Sequence, residues 1–142
     1  MAFREKTAWL ELVTMLVAYG VYFGIVGPAA GFGEERMLDI VWSFGPVAAA
    51  HAIAVIVGAI FIAVTARKEA EARADERDRA IARRGATIGY YMLIAGMIVV
   101  GGIMPFSEPP WMIVNAALFA IVLAETVNNA VILISYRRGW HG

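Results

Sequence analysis

The chain has 142 residues, of which 61% are hydrophobic, and its mean hydropathy is +0.69. Soluble domains are closer to half apolar, so this composition indicates a protein that lies mostly within a membrane. Twelve Lys and Arg residues balance twelve Asp and Glu, and the chain has no cysteine, which excludes disulfides, thiolate metal ligands and CxxC redox chemistry.

Four apolar runs predict four membrane-spanning helices, at about residues 8–30, 40–65, 86–104 and 111–135. A helix needs about 20 apolar residues to cross the ~30 Å hydrocarbon layer. The first run is longer than a signal-peptide core and no clear cleavage site follows it, so we expect it to be retained. The sequence therefore predicts one integral membrane domain over residues 1–142, folded as an all-α four-helix transmembrane bundle.

The first span carries a carboxylate, Glu11, about one turn inside the membrane interface. Thr7, Thr14 and Tyr22 share its helix face at helical spacing. We expect Glu11 to reach toward water or to pair with Lys6 or a linker arginine. A site in the membrane is the alternative, because ionisable groups within spans often mark function.

Two glycine patterns predict close packing between helices. Gly20 and Gly24 form a GxxxG pair in the first span, and the third span has a glycine face made of Gly85, Gly89 and Gly96. Small residues let helix backbones approach closely in lipid. We expect these glycines to pack within one chain, with a dedicated dimer seam as the alternative.

The second span contains His51 near its middle, with Gly58 on the same face. We expect a structural histidine whose hydrogen bonds are satisfied. The alternative is a pair with Glu125 at similar depth, which could relay protons or hold a metal ion.

The linker at residues 66–85 is the one sizeable hydrophilic segment, and its Ala, Glu and Arg content favours helix. Asp75 is predicted to cap a helix that runs through Ile81 into span three, and Asp75 and Arg79 are spaced for an i,i+4 ion pair. Spans two and three would then protrude as a charged cytoplasmic helical hairpin. Its role is either a solvated connector or a docking surface, formed by Asp75, Glu76, Arg77, Asp78, Arg79 and Arg84.

Basic residues are concentrated on one side of the predicted membrane. Eleven of the twelve Lys and Arg residues precede span one, join spans two and three, or follow span four, and only Arg36 lies elsewhere. The positive-inside rule then places both termini and the linker in the cytoplasm. If the chain self-associates, this asymmetry favours a parallel homodimer.

The fourth span carries Glu125 near its midpoint, with Asn128 and Asn129 within the same ~100° arc of the helix. One interpretation is a proton-accepting or cation-binding site in which the amides supply neutral oxygen ligands. The other is a hydrogen-bonded cluster that fixes the register between helices.

Motifs of enzymes are absent from the sequence: there is no GxSxG, HExxH or Gly-rich phosphate loop. The basic linker is neutralised by its own acids, which argues against nucleic-acid binding. We expect a non-enzymatic protein with no cofactor and no metal site.

Three stretches of the chain resemble a group of small four-span prokaryotic inner-membrane proteins of unknown function. They are the opening residues 3–9, the run Asp-Glu-Arg-Asp-Arg-Ala-Ile at 75–81 with the glycines and tyrosines after it, and the ending Tyr-Arg-Arg-Gly at 136–139. The resemblance implies a multi-pass inner-membrane protein and transfers no catalytic residues.

Together these features predict a small inner-membrane protein with a regulatory, sensory or interaction role, in contact with the lipid bilayer and a cytoplasmic protein partner. The alternative is a small proton- or cation-coupled transporter or channel that uses Glu125, with Asn129 and His51.

Overall fold

A computed structural model describes residues 3–26, 37–66 and 75–139, and these are organised as four helices without strands. The helices are α1 (Phe3–Val21, continued by a π turn at Tyr22–Val26), α2 (Met37–Thr65), α3 (Glu76–Ile98, continued by a π turn at Val99–Ile103 and a 3₁₀ turn at Met104–Phe106) and α4 (Pro110–Arg137). All four helical segments are long and apolar enough to cross a membrane. The predicted all-α, four-span fold is therefore confirmed.

The start of α3 follows from its local sequence. The Asp75 side chain accepts a 2.6 Å hydrogen bond from the backbone N–H of Asp78, while the Asp75 backbone is extended. This is the predicted N-cap, and it satisfies one of the free N–H groups of the first turn. The helix therefore begins at Glu76, before the apolar run at Ala86, and its charged first turns are continuous with the membrane span.

Contacts between the helices place them in the order α2, α1, α4, α3, with α1 and α4 at the centre. Helices joined by short connections, α1 with α2 and α3 with α4, pack against each other as sequence neighbours in a bundle do. By contrast, α2 and α3 do not pack together over the described residues. Residues 67–74, which would form one part of the predicted helical hairpin at 66–85, lie outside the described residues, so the hairpin stays a prediction.

Helix α1 contacts α2 at three positions of α2 that are spaced seven residues apart, Phe44, His51 and Gly58. Tyr19 stacks on Phe44 with ring centroids 5.5 Å apart and meets the edge of His51 at 5.2 Å. Leu10 lies so close to Gly58 that an added Cβ would come within 2.6 Å of it. The face predicted to join His51 and Gly58 is therefore the face that packs on α1.

Glycines of α3 form the contact with α4. A Cβ added at Gly85 would lie 2.6 Å from Ile132, and one added at Gly96 would lie 2.8 Å from Ala120. A Cβ added at Gly89 would lie 3.0 Å from Asn128. Packing within the chain, predicted for this glycine face, is confirmed.

The GxxxG pair of α1 behaves differently. A Cβ added at Gly20 or Gly24 would meet no described atom within 4 Å. The expectation that these two glycines pack within the chain is wrong, because α1 turns the opposite face, which carries Glu11 and Tyr22, toward its neighbours.

Large apolar side chains cover much of the outer surface, most fully on α2, where Trp42 is 76% exposed and Phe61 is 68% exposed. Soluble monomers rarely expose such continuous apolar surface. A surrounding hydrocarbon phase accounts for it, since apolar side chains facing lipid carry no hydration penalty.

Candidate functional site

One end of the bundle collects the described basic side chains, including Arg4 on α1, Arg83 on α3 and Arg137 on α4. We call this the basic end. Here the Arg137 guanidinium lies 5.2 Å from the centre of the Trp9 ring, which ties the end of α4 to α1. Arg36, the exception in the charge pattern, lies outside the described residues.

Asp78 joins three helices at the basic end. The Tyr136 hydroxyl donates a 2.8 Å hydrogen bond to Asp78 Oδ1, and Arg4 Nε lies 3.5 Å from Asp78 Oδ2. We call Arg4, Asp78 and Tyr136 the Asp78 clasp. It turns Asp78 into the bundle, so this residue does not belong to the outward-facing docking surface that the sequence predicted.

A cavity of about 280 Å³ opens beside the clasp, between α1, α3 and α4. We call it the basic-end cavity. Its lining includes Thr7 and Glu11 from α1 and Asn129 from α4. Asn129 is only 2% exposed. The structure therefore brings together two residues of the predicted intramembrane site, Glu11 and Asn129, and adds Asp78 from the predicted docking surface.

Some polar side chains that line the cavity form hydrogen bonds to the backbone, and the Glu11 carboxylate does not. Asn129 Nδ2 donates to the backbone carbonyl of Glu125 at 3.2 Å, and Thr7 Oγ1 donates to the carbonyl of Phe3 at 3.1 Å. The Glu11 carboxylate forms no hydrogen bond or ion pair with a described residue, so the pair with Lys6, one of the alternatives expected for it, is not formed.

Glu125 and Asn128 lie apart from this cavity, in a groove between α3 and α4 lined also by Gly89 and Leu93. Asn128 Nδ2 donates to Glu125 Oε2 at 3.3 Å, while Asn128 Oδ1 is buried without a hydrogen-bond partner among the described residues. The Glu125 side chain is exposed on the bundle surface. The predicted arc of Glu125, Asn128 and Asn129 is thus divided between two separate surfaces of α4.

His51 lies on the α1–α2 interface, against Tyr19. Its Nε2 is buried and has no hydrogen-bond partner among the described residues, so the expectation of a satisfied histidine is wrong for that atom. No hydrogen bond or ion pair joins His51 to Glu125, and Asn129 faces the basic-end cavity. The transporter alternative needs His51, Glu125 and Asn129 in one site. Because these residues lie on separate surfaces, their arrangement does not support it.

The remaining residues of the predicted docking surface lie on the first turns of α3. Asp75, Glu76, Arg79 and Arg84 are exposed, whereas Arg77 is half-buried. The predicted ion pair between Asp75 and Arg79 is not formed, and the Asp75 carboxylate instead caps the helix. Arg83 is exposed on the same turns and was missed by sequence reasoning, although it follows Arg79 at i+4.

A second buried polar contact lies at the opposite end and was also missed. Tyr22 is 1% exposed and donates a 2.9 Å hydrogen bond to Asn115 Oδ1. Asn115 in turn donates to the carbonyl of Trp111 at 3.1 Å. The spacing of Asn115 and Asn129, two heptads apart on α4, is the signal that indicates a shared buried face.

A sequence model of a family described as a predicted membrane protein (DUF2178) matches residues 10–140. The match includes the central motif at 75–81 and the ending at 136–139, whereas the opening residues 3–9 precede it. No curated protein and no solved structure matches the chain. The resemblance to small membrane proteins of unknown function is confirmed.

Proposed function

The chain belongs to the DUF2178 family of membrane proteins, and on that premise we propose that it is a non-enzymatic regulatory or sensory protein of the prokaryotic inner membrane. In this proposal the basic end and both termini face the cytoplasm, because lysine and arginine are retained on that side during insertion. The charged first turns of α3 are the surface that contacts a soluble cytoplasmic protein.

The observation that carries this proposal is a charged surface on a helix that is held in place. Glu76, Arg79 and Arg83 are exposed, and none of them forms an ion pair with another described residue. The Asp78 clasp on the other side of α3 fixes the helix against α1 and α4. A fixed set of charges selects partners by complementary charge and raises their association rate. We call Glu76, Arg79 and Arg83 the docking face.

Site-specific photo-crosslinking in cells tests the docking face. A photoreactive residue at Arg79 or at Arg83 should trap one and the same soluble protein. Ile88, exposed further along α3 within the apolar part of the span, is the matched control position and should trap no soluble protein. If neither arginine position traps a soluble protein, or if Ile88 traps the same one, the docking face is refuted.

Charge reversal gives a second arm of the same experiment. Arg79→Glu with Arg83→Glu should abolish the crosslink from a photoreactive residue at Glu76, because it removes the positive half of the surface. Asp75 is unsuitable for this purpose, since it caps α3 and its loss would change the helix itself. A crosslink that survives both reversals contradicts recognition by charge.

The proposal includes a parallel homodimer formed through the groove of Glu125 and Asn128. Glu125 is exposed near the middle of α4, where a charged side chain facing lipid costs about 2.5–3.5 kcal/mol. A second copy, related by a two-fold axis along the membrane normal, would cover this groove. Glu125 supplies acceptors and the amide nitrogen of Asn128 supplies donors, so the surface is complementary to itself.

Cysteine crosslinking tests the dimer, because the chain has no cysteine of its own. Ile121→Cys lies one turn from Glu125 and should form a disulfide-linked dimer on mild oxidation in membranes. Ile56→Cys on α2 is at a position at least as exposed, and it is the control that should stay monomeric. Combining Ile121→Cys with Glu125→Leu should lower the crosslinked fraction, and equal crosslinking at both cysteine positions would contradict the dimer.

A further inference from the structure

We propose that the basic-end cavity binds a primary ammonium group, held by the Glu11 carboxylate and the side-chain oxygen of Asn129. The group would come from a small free amine or from the headgroup of an aminophospholipid. This site is distinct from the docking face and from the Glu125 groove, and the inference does not depend on either.

Asn129 presents an unused acceptor to the cavity. Asn129 is 2% exposed and lines the cavity, and its Nδ2 is already bonded to the Glu125 carbonyl. No described residue donates to its Oδ1. A ligand that brings an N–H group into the cavity could donate to this open oxygen.

The hydroxyl donors around the cavity are already occupied. The single O–H of Thr7 is bonded to the Phe3 carbonyl, and the single O–H of Tyr136 is bonded to Asp78. What these groups still offer are oxygen lone pairs. A ligand that carries several donors and no acceptor, as an ammonium does, complements such a lining.

The charges that line the cavity do not balance. Asp78 lies against Arg4, so these two groups largely neutralise each other. Glu11 has no ion-pair partner among the described residues, which leaves the cavity one negative charge in excess. A monovalent cation balances it. No group of three His, Asp or Glu side chains converges among the described residues, so the arrangement is unlike that of a divalent metal site.

The size and place of the cavity fit this ligand class. Its volume of about 280 Å³ is several times the ~30 Å³ that one water occupies in the liquid. It opens at the basic end, beside Arg4, and a tryptophan with a nearby arginine at the same end, Trp9 and Arg137, is the pattern expected where a span meets the lipid headgroups. Both a soluble amine and a headgroup amine can reach that depth.

Nuclear magnetic resonance on the unsubstituted protein provides the direct test. The chain has three asparagines, so ¹⁵N-asparagine labelling gives three side-chain amide signals. In detergent micelles at constant pH and ionic strength, ethylammonium chloride should shift the Asn129 signal in a saturable way. The Asn115 signal, from the far end of the bundle, should not move. Sodium chloride and tetramethylammonium chloride, which carry no N–H donor, should have no saturable effect on Asn129.

Substitution of the carboxylate gives the second arm. Glu11→Gln should weaken ethylammonium binding at least tenfold, because it removes the balancing charge. Glu5→Gln removes the same charge from the same helix outside the cavity and should bind as the unsubstituted protein does. If Glu11→Gln does not fold, Glu11→Asp is the substitute. It keeps the negative charge but places the carboxylate one methylene group closer to the helix backbone, and it should still weaken binding.

Nanodiscs separate the two sources of the amine. In discs of phosphatidylcholine and phosphatidylglycerol, adding phosphatidylethanolamine should shift the Asn129 signal and reduce the response to ethylammonium if the headgroup is the ligand. If only free amines bind, the lipid will have no effect while ethylammonium still shifts the signal. The proposal is overturned by an Asn129 signal that responds to neither, by an equal response to sodium, or by unchanged binding in Glu11→Gln.

Discussion

Gly89→Ala tests the packing of α3 against α4 most sharply. An added Cβ would lie 3.0 Å from Asn128 Cβ and 3.1 Å from the backbone carbonyl oxygen of Ala124. A backbone carbonyl cannot rotate away, so the two helices must separate by a few tenths of an ångström. Overpacking of this kind costs about 1–3 kcal/mol. Alanine recovers up to about 1 kcal/mol through its better helix propensity.

With the full recovery of about 1 kcal/mol, the expected net loss in the free energy of unfolding for Gly89→Ala is therefore about 0–2 kcal/mol. Gly20→Ala is the matched control, because a Cβ there meets no described atom within 4 Å. It should be neutral, or more stable by up to about 1 kcal/mol. Reversible unfolding in mixed micelles of dodecyl maltoside and SDS, followed by circular dichroism, measures both. The reasoning fails if Gly89→Ala is as stable as Gly20→Ala.

Three further substitutions address the polar contacts at the two ends of the bundle. Within the Asp78 clasp, Tyr136→Phe should lower stability by about 1.5–3 kcal/mol, because it removes a hydrogen bond to a charged group. Arg4→Gln should lower it by no more than about 1 kcal/mol, since the Arg4 side chain is 49% exposed and solvent screens the ion pair; the opposite order in the same unfolding assay would contradict the assignment. At the far end, Tyr22→Phe leaves Asn115 Oδ1 without its donor and should cost about 0.6–2 kcal/mol, whereas an unchanged midpoint would mean that water or another donor replaces the hydroxyl.

Local features of the sequence predicted the elements well. The start of α3 follows from Asp75, because capping depends on residues three positions apart. The four spans follow from the length of each apolar run. The glycine face of α3 was also readable, since Gly85, Gly89 and Gly96 recur at helical spacing.

Pairing between helices was much less predictable. Asp78 bonds to Arg4 and Tyr136, which are far away in the chain, so its inward orientation carries no local signal. The i,i+4 spacing of Asp75 and Arg79 predicted an ion pair. The Asp75 carboxylate instead accepts the hydrogen bond that caps α3.

The division of the polar cluster on α4 has a geometric cause. This helix lies between α1 and α3, so one ~100° arc of its surface spans two interfaces. Asn129 falls on the side of the basic-end cavity, and Glu125 with Asn128 falls on the α3–α4 groove. Helical spacing places residues on an arc, but it does not say where the neighbouring helices divide that arc.

Accessibility labelling of single-cysteine variants in intact cells tests the central claim, that the chain crosses the membrane four times with its basic end inside. Arg83→Cys lies at the basic end, and Ser107→Cys lies in the connection between α3 and α4 at the opposite end; both positions are exposed. A membrane-impermeant maleimide should label Ser107→Cys in intact cells and Arg83→Cys only after the membrane is permeabilised. Labelling of Arg83→Cys from outside, with Ser107→Cys protected, would contradict the account.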